Sequence, residues 1–392
     1  MSTQPKYREI YEELTRAITS GTFAAGEKLP TEQSLAERFG VARQTVLKAL
    51  DAMKHDGVIT SERGRGTFVA VTHGRRRTAD TRQLVFICSN LEDSIGHRIL
   101  LGVESAARRA GYSLVTCNTR NDSEREGEAL RRARNTGVDG IVLIPYLQRP
   151  NTELLNRITE EIPLVCIDNV PPGVSAPLVT TDNQRSAYEA VSYLIDSGHR
   201  KIGFILSKWE YVERSSSISD RYLGYRKALE DHGIEFRPEY VTDLGAALAD
   251  SRPRDIGLDL YGYPAMNRLM NCPEPPTAVV LLWDELAPGA LAAIRDGRCR
   301  APEDFSLVGF NDDELCTLVT PKLSSVRQPA EELGETAVQM LEKQIRGETP
   351  PLVTRLPNRL ILRESITHPP IFETISTKKQ KGLNYERKIS SL

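Results

Sequence analysis

No run of apolar residues in this 392-residue chain is long enough to span a bilayer, and its N-terminus is polar rather than charged and then apolar. Membrane anchorage and secretion are therefore not expected, and the sequence reads as cytosolic. Six cysteines (Cys88, Cys117, Cys166, Cys272, Cys299, Cys316) include no Cys-x-x-Cys pair and no nearby histidines, which argues against a zinc site or a disulfide framework. Cys88, Cys117 and Cys166 sit in strand-like runs and read as small buried apolar residues. Net charge is only −2, so any affinity for a polyanion has to come from a local patch. With six histidines and no Ser/His/Asp, metal-ligand or phosphate-loop arrangement, neither catalysis nor a resident cofactor is expected.

What is present is concentrated first in the opening seventy residues. Tyr7, Ile10, Tyr11, Leu14 and Ile18 recur at helical spacing after Pro5, and Gly21 ends that helix. Thr31 is placed to cap a second helix, with Glu32 at its positive end and Leu35, Ala36 and Phe39 as its apolar face. Gly40 turns the chain into a third helix, where Val46, Ala49, Leu50 and Met53 fall at i, i+3, i+4 and i+7. The opposite face carries Arg43, Gln44, Leu47, Lys48 and Lys54. Strands at 58–60 and 67–69 then enclose a glycine-rich turn bearing Arg63 and Arg65. Two helices and a hairpin in this order form a winged helix-turn-helix, whose exposed helix reads base edges in the major groove while the wing reaches the backbone or minor groove. The competing reading is a helical hairpin with a solvated basic face.

The ordered set Leu29-Pro30-Thr31-Glu32, Leu35-Ala36, Val41-Ala42-Arg43-Gln44-Thr45-Val46 and Gly64-Arg65-Gly66-Thr67-Phe68-Val69 resembles the DNA-binding domain of the GntR family of bacterial transcription regulators over about residues 5 to 70. The resemblance implies operator contacts from Arg43, Gln44, Thr45, Arg63 and Gly64; Lys48 and Arg65 complete the basic face. Two positions depart from that family's pattern. Ala42 replaces the usual Ser or Thr, removing an N-cap at a cost of about 1 kcal/mol. Leu47 replaces a frequent second arginine and offers a thymine methyl an apolar contact, whereas Lys48 lies about 100° further round the helix.

The length implies a second module. The basic, apolar-poor stretch at 72–83, which includes Arg75-Arg76-Arg77, reads as a linker. Beyond it, apolar runs at 84–88, 113–117, 140–144, 164–167, 201–206, 278–282 and 305–310 alternate with helix-like segments, which predicts a βα array of buried parallel strands. Ligands bind such sheets at the carboxyl ends of the strands. Those ends carry Asn90, Asp93 and Ser94, then Pro145 and Tyr146, Asp168, Trp283 and Asp284, and Asn311 and Asp312. Carboxylates, amides and aromatic rings on one cleft suit a neutral polyhydroxylated ligand, although any single Asp in such a place equally caps the following helix.

Further landmarks resemble the LacI/GalR regulators over about residues 83 to 365: Thr181-Asp182-Asn183, Ser197-Gly198-His199-Arg200-Lys201, Asp220-Arg221-Tyr222-Leu223-Gly224-Tyr225, Trp283-Asp284-Glu285 and Val308-Gly309-Phe310-Asn311-Asp312. The resemblance implies a periplasmic-binding-protein-like α/β module of two lobes, about 83 to 183 and 184 to 315, with the helix after Pro329 returning to the first. It also implies that Arg221 donates a forked pair of bonds to effector hydroxyls, and that Asp168 and Asn311 match sugar-contacting positions. Trp283 stands where Asn is frequent and Asn311 where Asp is frequent, and the added ring favours a pyranose-type face. The expected domains are 1–71 for the reader, 72–83 for the linker, 84–366 for the effector module and 367–392 for a disordered basic tail.

Joining a GntR-type reader to a LacI/GalR-type sensor resembles the AraR subgroup of sugar-responsive repressors. This implies a homodimer that presents two readers to a palindromic operator and is released when sugar closes the lobes. Two other readings stay open at this point. One is a purine-type corepressor sensor. The other is a GntR-type chain with an enzyme-like domain for pyridoxal phosphate, for which no lysine-centred motif is found.

Overall fold

A computed structural model describes residues 6–19, 23, 27–55, 59–62, 65–69, 81–91, 94–148, 150–206, 209–243 and 262–369. The chain falls into two compact units, Met1–Thr81 with Leu130–Val138, and Arg82–Ala129 with Asp139–Leu392. Among the described residues no helix is long and apolar enough to cross a membrane.

In the first unit, α1 (Lys6–Thr19), α2 (Glu32–Phe39) and α3 (Arg43–His55) precede an antiparallel hairpin of β1 (Ile59–Glu62) and β2 (Gly66–Val69). The expected caps form. Thr31 accepts from the Ser34 N–H, and Gly40 closes α2 at φ 61°, a conformation that favours glycine. Ile10, Leu14, Leu35, Val46, Ala49, Leu50 and Met53 make a core closed by Ile59 and Val69 of the hairpin. Lys28 bridges Phe68, and the Leu29 N–H donates to the Thr67 carbonyl at 2.8 Å, so the segment before α2 pairs with the wing. Ile18, Gly21, Val58, Arg63 and Gly64 figure in the sequence reading, but their side chains or backbone lie outside the described residues.

The second unit has two lobes. The first is a six-stranded sheet ordered β13-β7-β6-β5-β3-β4, from β3 (Gln83–Cys88), β4 (Ser113–Asn118), β5 (Gly140–Ile144), β6 (Leu164–Ile167), β7 (Leu178–Thr181) and β13 (Val353–Leu356). Its pairings are all parallel. Helices α4 (Ser94–Arg109) and α13 (Ala330–Ile345) share its apolar core, while α5 (Ser123–Thr136) and α6 (Thr152–Glu161) are its remaining crossovers.

The second lobe has the sheet order β14-β12-β11-β10-β8-β9, from β8 (Ile202–Leu206), β9 (Val241–Asp243), β10 (Ala278–Leu281), β11 (Ser306–Asn311), β12 (Ser324–Arg327) and β14 (Arg359–Ile361). Only β12 and β14 run antiparallel here. Helices α7 (Asn183–Asp196), α9 (Ser216–Asp231), α10 (Gly262–Met270) and α11 (Ala287–Asp296) pack on it; α8 (Trp209–Arg214) and α12 (Leu315–Leu318) are short.

The predicted parallel array forms, with one correction. β4 is not a buried strand: it lies at the edge of its sheet, where Val115 is 40% exposed and Cys117 only partly covered. Among the described residues no strand pairs with its outer edge, and the apolar run alone does not reveal that. Among the described residues the chain crosses between lobes after β7, after β12 and between β13 and β14, which brings α13 back to the first lobe as expected. Thr367 and His368, expected at the start of the tail, are instead held to the second lobe. The Thr367 carbonyl faces His199 Nε2 at 2.8 Å, and His368 Nδ1 lies 2.8 Å from the Ser197 carbonyl. Residues 370–392 and 72–80 lie outside the described residues.

Candidate functional site

On α3 of the first unit, Arg43, Gln44 and Lys48 are exposed, Thr45 and Leu47 are half-buried, and Arg65 is exposed in the turn before β2. Arg43 is already oriented: its Nε and Nη2 lie 2.9 and 2.8 Å from Glu32 Oε2 at the start of α2. Lys48 Nζ sits 4.6 Å from the centre of the Tyr7 ring on α1. Ala42 supplies no side-chain cap, and its carbonyl accepts from the Thr45 N–H at 2.8 Å to begin the helix. The face thus presents a guanidinium, an amide and an ammonium from one helix, the donor set that reads guanine and adenine edges and neighbouring phosphates.

Between the lobes of the second unit lies a half-enclosed cavity of about 210 Å³. Of the eight side chains expected to contact an effector, Asn90, Asp168, Arg221, Trp283 and Asn311 line it. They come from the ends of β3, β6, β10 and β11 and from α9, so the strand-end rule selects the correct rim. Ser94, Tyr146 and Asp284 are not among its described lining. Ser94 begins α4 beside Asp313. The Tyr146 N–H donates to Glu126 Oε2 at 2.7 Å. Asp284 is fully buried, accepting from the Ser325 hydroxyl at 2.7 Å and the Asp313 N–H at 2.9 Å. A side chain at Gly309 would put its Cβ 1.9 Å from Asp284 Oδ1, so glycine there makes room for this carboxyl. Asp284 therefore supports the cavity from behind, and burial pushes its pKa up to about 7.

Arg221 is buried. Its Nε donates to Asn183 Oδ1 at 2.9 Å and its Nη1 to the Leu282 carbonyl at 2.8 Å, while the guanidinium carbon stacks 3.8 Å from the Phe310 ring centre. Burial lowers its pKa to about 10, and the Asp168, Asp284 and Glu285 carboxylates counter that shift. Asp168 adopts φ 69° and is held through Oδ2 by the Ser217 hydroxyl at 2.9 Å and by Asn169 Nδ2 at 2.5 Å. Burial raises its pKa, against the pull of Arg221 and the Ser217 bond. A cavity with one guanidinium, one carboxylate and an indole, and little else charged, can hold hydroxyls as both donors and acceptors while a ring stacks on their carbon face.

Three features were not anticipated. Asn169 Oδ1 of the first lobe receives the Ser215 and Ser216 hydroxyls at 3.3 and 2.9 Å and the Ser217 N–H at 3.3 Å, clasping the start of α9. Gln328, also in the lining, accepts from the Thr181 hydroxyl at 3.1 Å and donates to Asn311 Oδ1 at 2.7 Å, tying one lobe to the other at a crossover. Arg214 Nη1 donates to the Gln148 carbonyl on another rim. The Asp168-Asn169 pair at a strand end was a usable signal for the first; Gln328 stands in the stretch Pro321 to Pro329, which also resembles the LacI/GalR regulators, but its pairing across the lobes is not legible there.

Comparison with known proteins agrees with both units. Residues 6–69 match the gntR family of bacterial regulatory proteins, and residues 191–366 match the periplasmic binding protein-like domain. The chain is 31% identical over 350 residues to an arabinose metabolism transcriptional repressor of Geobacillus stearothermophilus, covering 88% of this chain and 92% of that one. It is 26% identical over 345 residues to the HTH-type transcriptional repressor PurR of Mannheimia succiniciproducens, covering 86% and 99%. The crystal structure of the transcription regulator CcpA of Lactococcus lactis superimposes with a TM-score of 0.63 at 25% identity, over 73% of this chain and 99% of that one. These relatives are transcription regulators. The chain belongs to the family of bacterial transcription repressors that join a gntR-type DNA-binding domain to a periplasmic-binding-protein-like domain, the arabinose metabolism repressors among them.

Proposed function

We propose that this repressor binds operator DNA as a homodimer and releases it when a small neutral sugar occupies the cavity between its lobes. Arg43, Gln44, Thr45 and Lys48 of α3 read the major groove, and Arg63, Gly64 and Arg65 of the wing hold the adjoining backbone. Arg221, Asp168, Asn311 and Asn90 bind the sugar hydroxyls, and Trp283 stacks on the ring. Residues 1–71 form the reader, 72–83 the linker that transmits the change, and 84–366 the sensor. The chain acts in the cytosol by binding alone, without catalysis.

The observation that carries the reading is the cavity, where Arg221 and Asp168 offer opposite charges beside an indole in about 210 Å³. Sites for drug-sized ligands run to roughly 300–1,000 Å³, so this volume suits a monosaccharide. A tenfold loss of operator affinity on binding needs only about 1.4 kcal/mol of coupling, which a modest lobe movement can supply. The test selects operator sites from a random duplex library with the full chain, then titrates the complex with aldoses, ketoses and purine bases. Saturable tryptophan quenching by one sugar with release of DNA supports the reading. Tight sugar binding with unchanged operator affinity sinks the coupling, and a purine that tightens DNA binding makes the protein a corepressor sensor.

A further inference from the structure

The residues just before α2 belong to neither the reading face of α3 nor the turn of the wing, yet they lie against the wing. The Leu29 N–H donates to the Thr67 carbonyl and the Val69 N–H to the Glu27 carbonyl, both at 2.8 Å, so residues 27–29 pair alongside β2. Side chains alternate across an extended segment. Leu29 is 2% exposed, within the core, which sends its exposed neighbour Lys28 to the outer face, opposite Phe68. Gly66 stands two residues before Phe68 in β2 and shares that face. A Cβ on Gly66 would lie 2.5 Å from Lys28 Cε and 3.3 Å from its Nζ, so the lysine stem crosses the hairpin where glycine leaves it room. The ammonium is thereby carried toward the turn that bears the exposed Arg65.

Other cations of this unit have partners inside it. Arg38, Arg43 and Lys54 each meet a carboxylate, at 3.2, 2.8 and 3.3 Å, and Lys48 rests on the Tyr7 ring. Among the described residues no carboxylate pairs with the Lys28 ammonium. It can therefore meet a phosphate without first giving up an ion pair. We propose that Lys28 is a further DNA-contacting residue, its ammonium donating to a backbone phosphate beside the groove that the wing enters. The segment before α2 then supplies the wing with a cation that the wing's own sequence does not contain. A phosphate carries no base identity, so this contact adds affinity on any duplex and leaves the base preference of α3 unchanged. This deepens the reading of the first unit as the operator reader and rests on it.

The experiment reads the contact as released counterions. Fluorescence anisotropy follows binding of the full chain to two labelled duplexes, the selected operator and one of random sequence, from about 50 to about 200 mM salt. Lys28→Met keeps the stem over Gly66 and removes the charge; Lys28→Arg keeps the charge. The expected result for Lys28→Met is a slope of log affinity against log salt that is shallower by about 0.9 on both duplexes, regained in Lys28→Arg. Its affinity deficit is then about threefold greater at the lower salt than at the higher. An unchanged slope overturns the proposal whatever the affinity does, and assigns Lys28 to packing on the wing or to a pair with Glu62, whose backbone lies opposite Gly66. A loss confined to the operator duplex overturns it as well, because that is base readout. Should Lys28→Met not fold, judged by circular dichroism, Lys28→Gln makes the same comparison. A wild-type chain that binds neither duplex removes the operator reading and this contact with it, whereas an unchanged slope leaves the operator reading standing.

Discussion

At Arg221 two of five N–H donors go to Asn183 and Leu282, and the rest of the fork is available to a ligand. Arg221→Ala should abolish the sugar response, leave operator binding intact, and cost about 1–3 kcal/mol of stability because two acceptors lose their donor. Calorimetry with the effector found in the panel and a thermal melt check both parts; a variant that still responds to sugar refutes the assignment. Asp284 supplies a pH test of another kind. Its folded pKa of about 7 lies above the ordinary 3.8, so its contribution is fully present below the ordinary value and is lost as pH rises through about 7. Asp284→Asn should therefore remove a stability slope of at most about 1.4 kcal/mol per pH unit between those values, read as urea midpoints of the two proteins across that range. The Arg221 motif was legible in the sequence by resemblance. The burial of Asp284 was not, because a carboxylate after a strand looks the same whether it faces the cavity or the core.

Elements meet where glycines let them. A Cβ at Gly102 of α4 would lie 2.0 Å from the Glu331 carbonyl of α13, and one at Gly334 would lie 2.4 Å from the Ile99 carbonyl. Gly102→Ala should therefore destabilise the first lobe by about 1–3 kcal/mol, seen as a lower urea midpoint, with DNA binding kept at low denaturant. The reading helix makes the complementary case. Arg43→Ala should weaken operator binding by about 1–3 kcal/mol while sugar still quenches tryptophan emission. Helices α1 to α3 were legible because their apolar faces repeat every three or four residues and their caps are local. Strands β7, β12, β13 and β14 were not, since Leu-Val-Thr-Thr or Ser-Ser-Val-Arg becomes a strand only when a neighbour supplies its hydrogen bonds.

For the whole molecule, the proposed homodimer needs a self-complementary face. The first lobe offers an edge strand, β4, with Val115 40% exposed and Leu101 of α4 47% exposed, which in a lone chain would be an association-prone edge. Sedimentation should give twice the chain mass. Val115→Lys should shift the protein toward single chains and weaken operator binding more than sugar binding, whereas an unchanged mass would move the interface elsewhere.

The order of residues alone determined the winged helix-turn-helix, the βα alternation and most of the cavity rim, because each depends on spacing along one element or on the end of one strand. The tertiary structure decided which strand became an edge, where the chain crosses between lobes, and how Gln328 and Asn169 come to join them. It also decided that of three adjacent polar residues, Asn311 faces the cavity, Asp312 is paired with two arginines and Asp313 is buried beside Ser94 of the first lobe. These depend on groups far apart in the chain, and a carboxylate's surroundings, unlike its identity, are fixed only when the lobes pack.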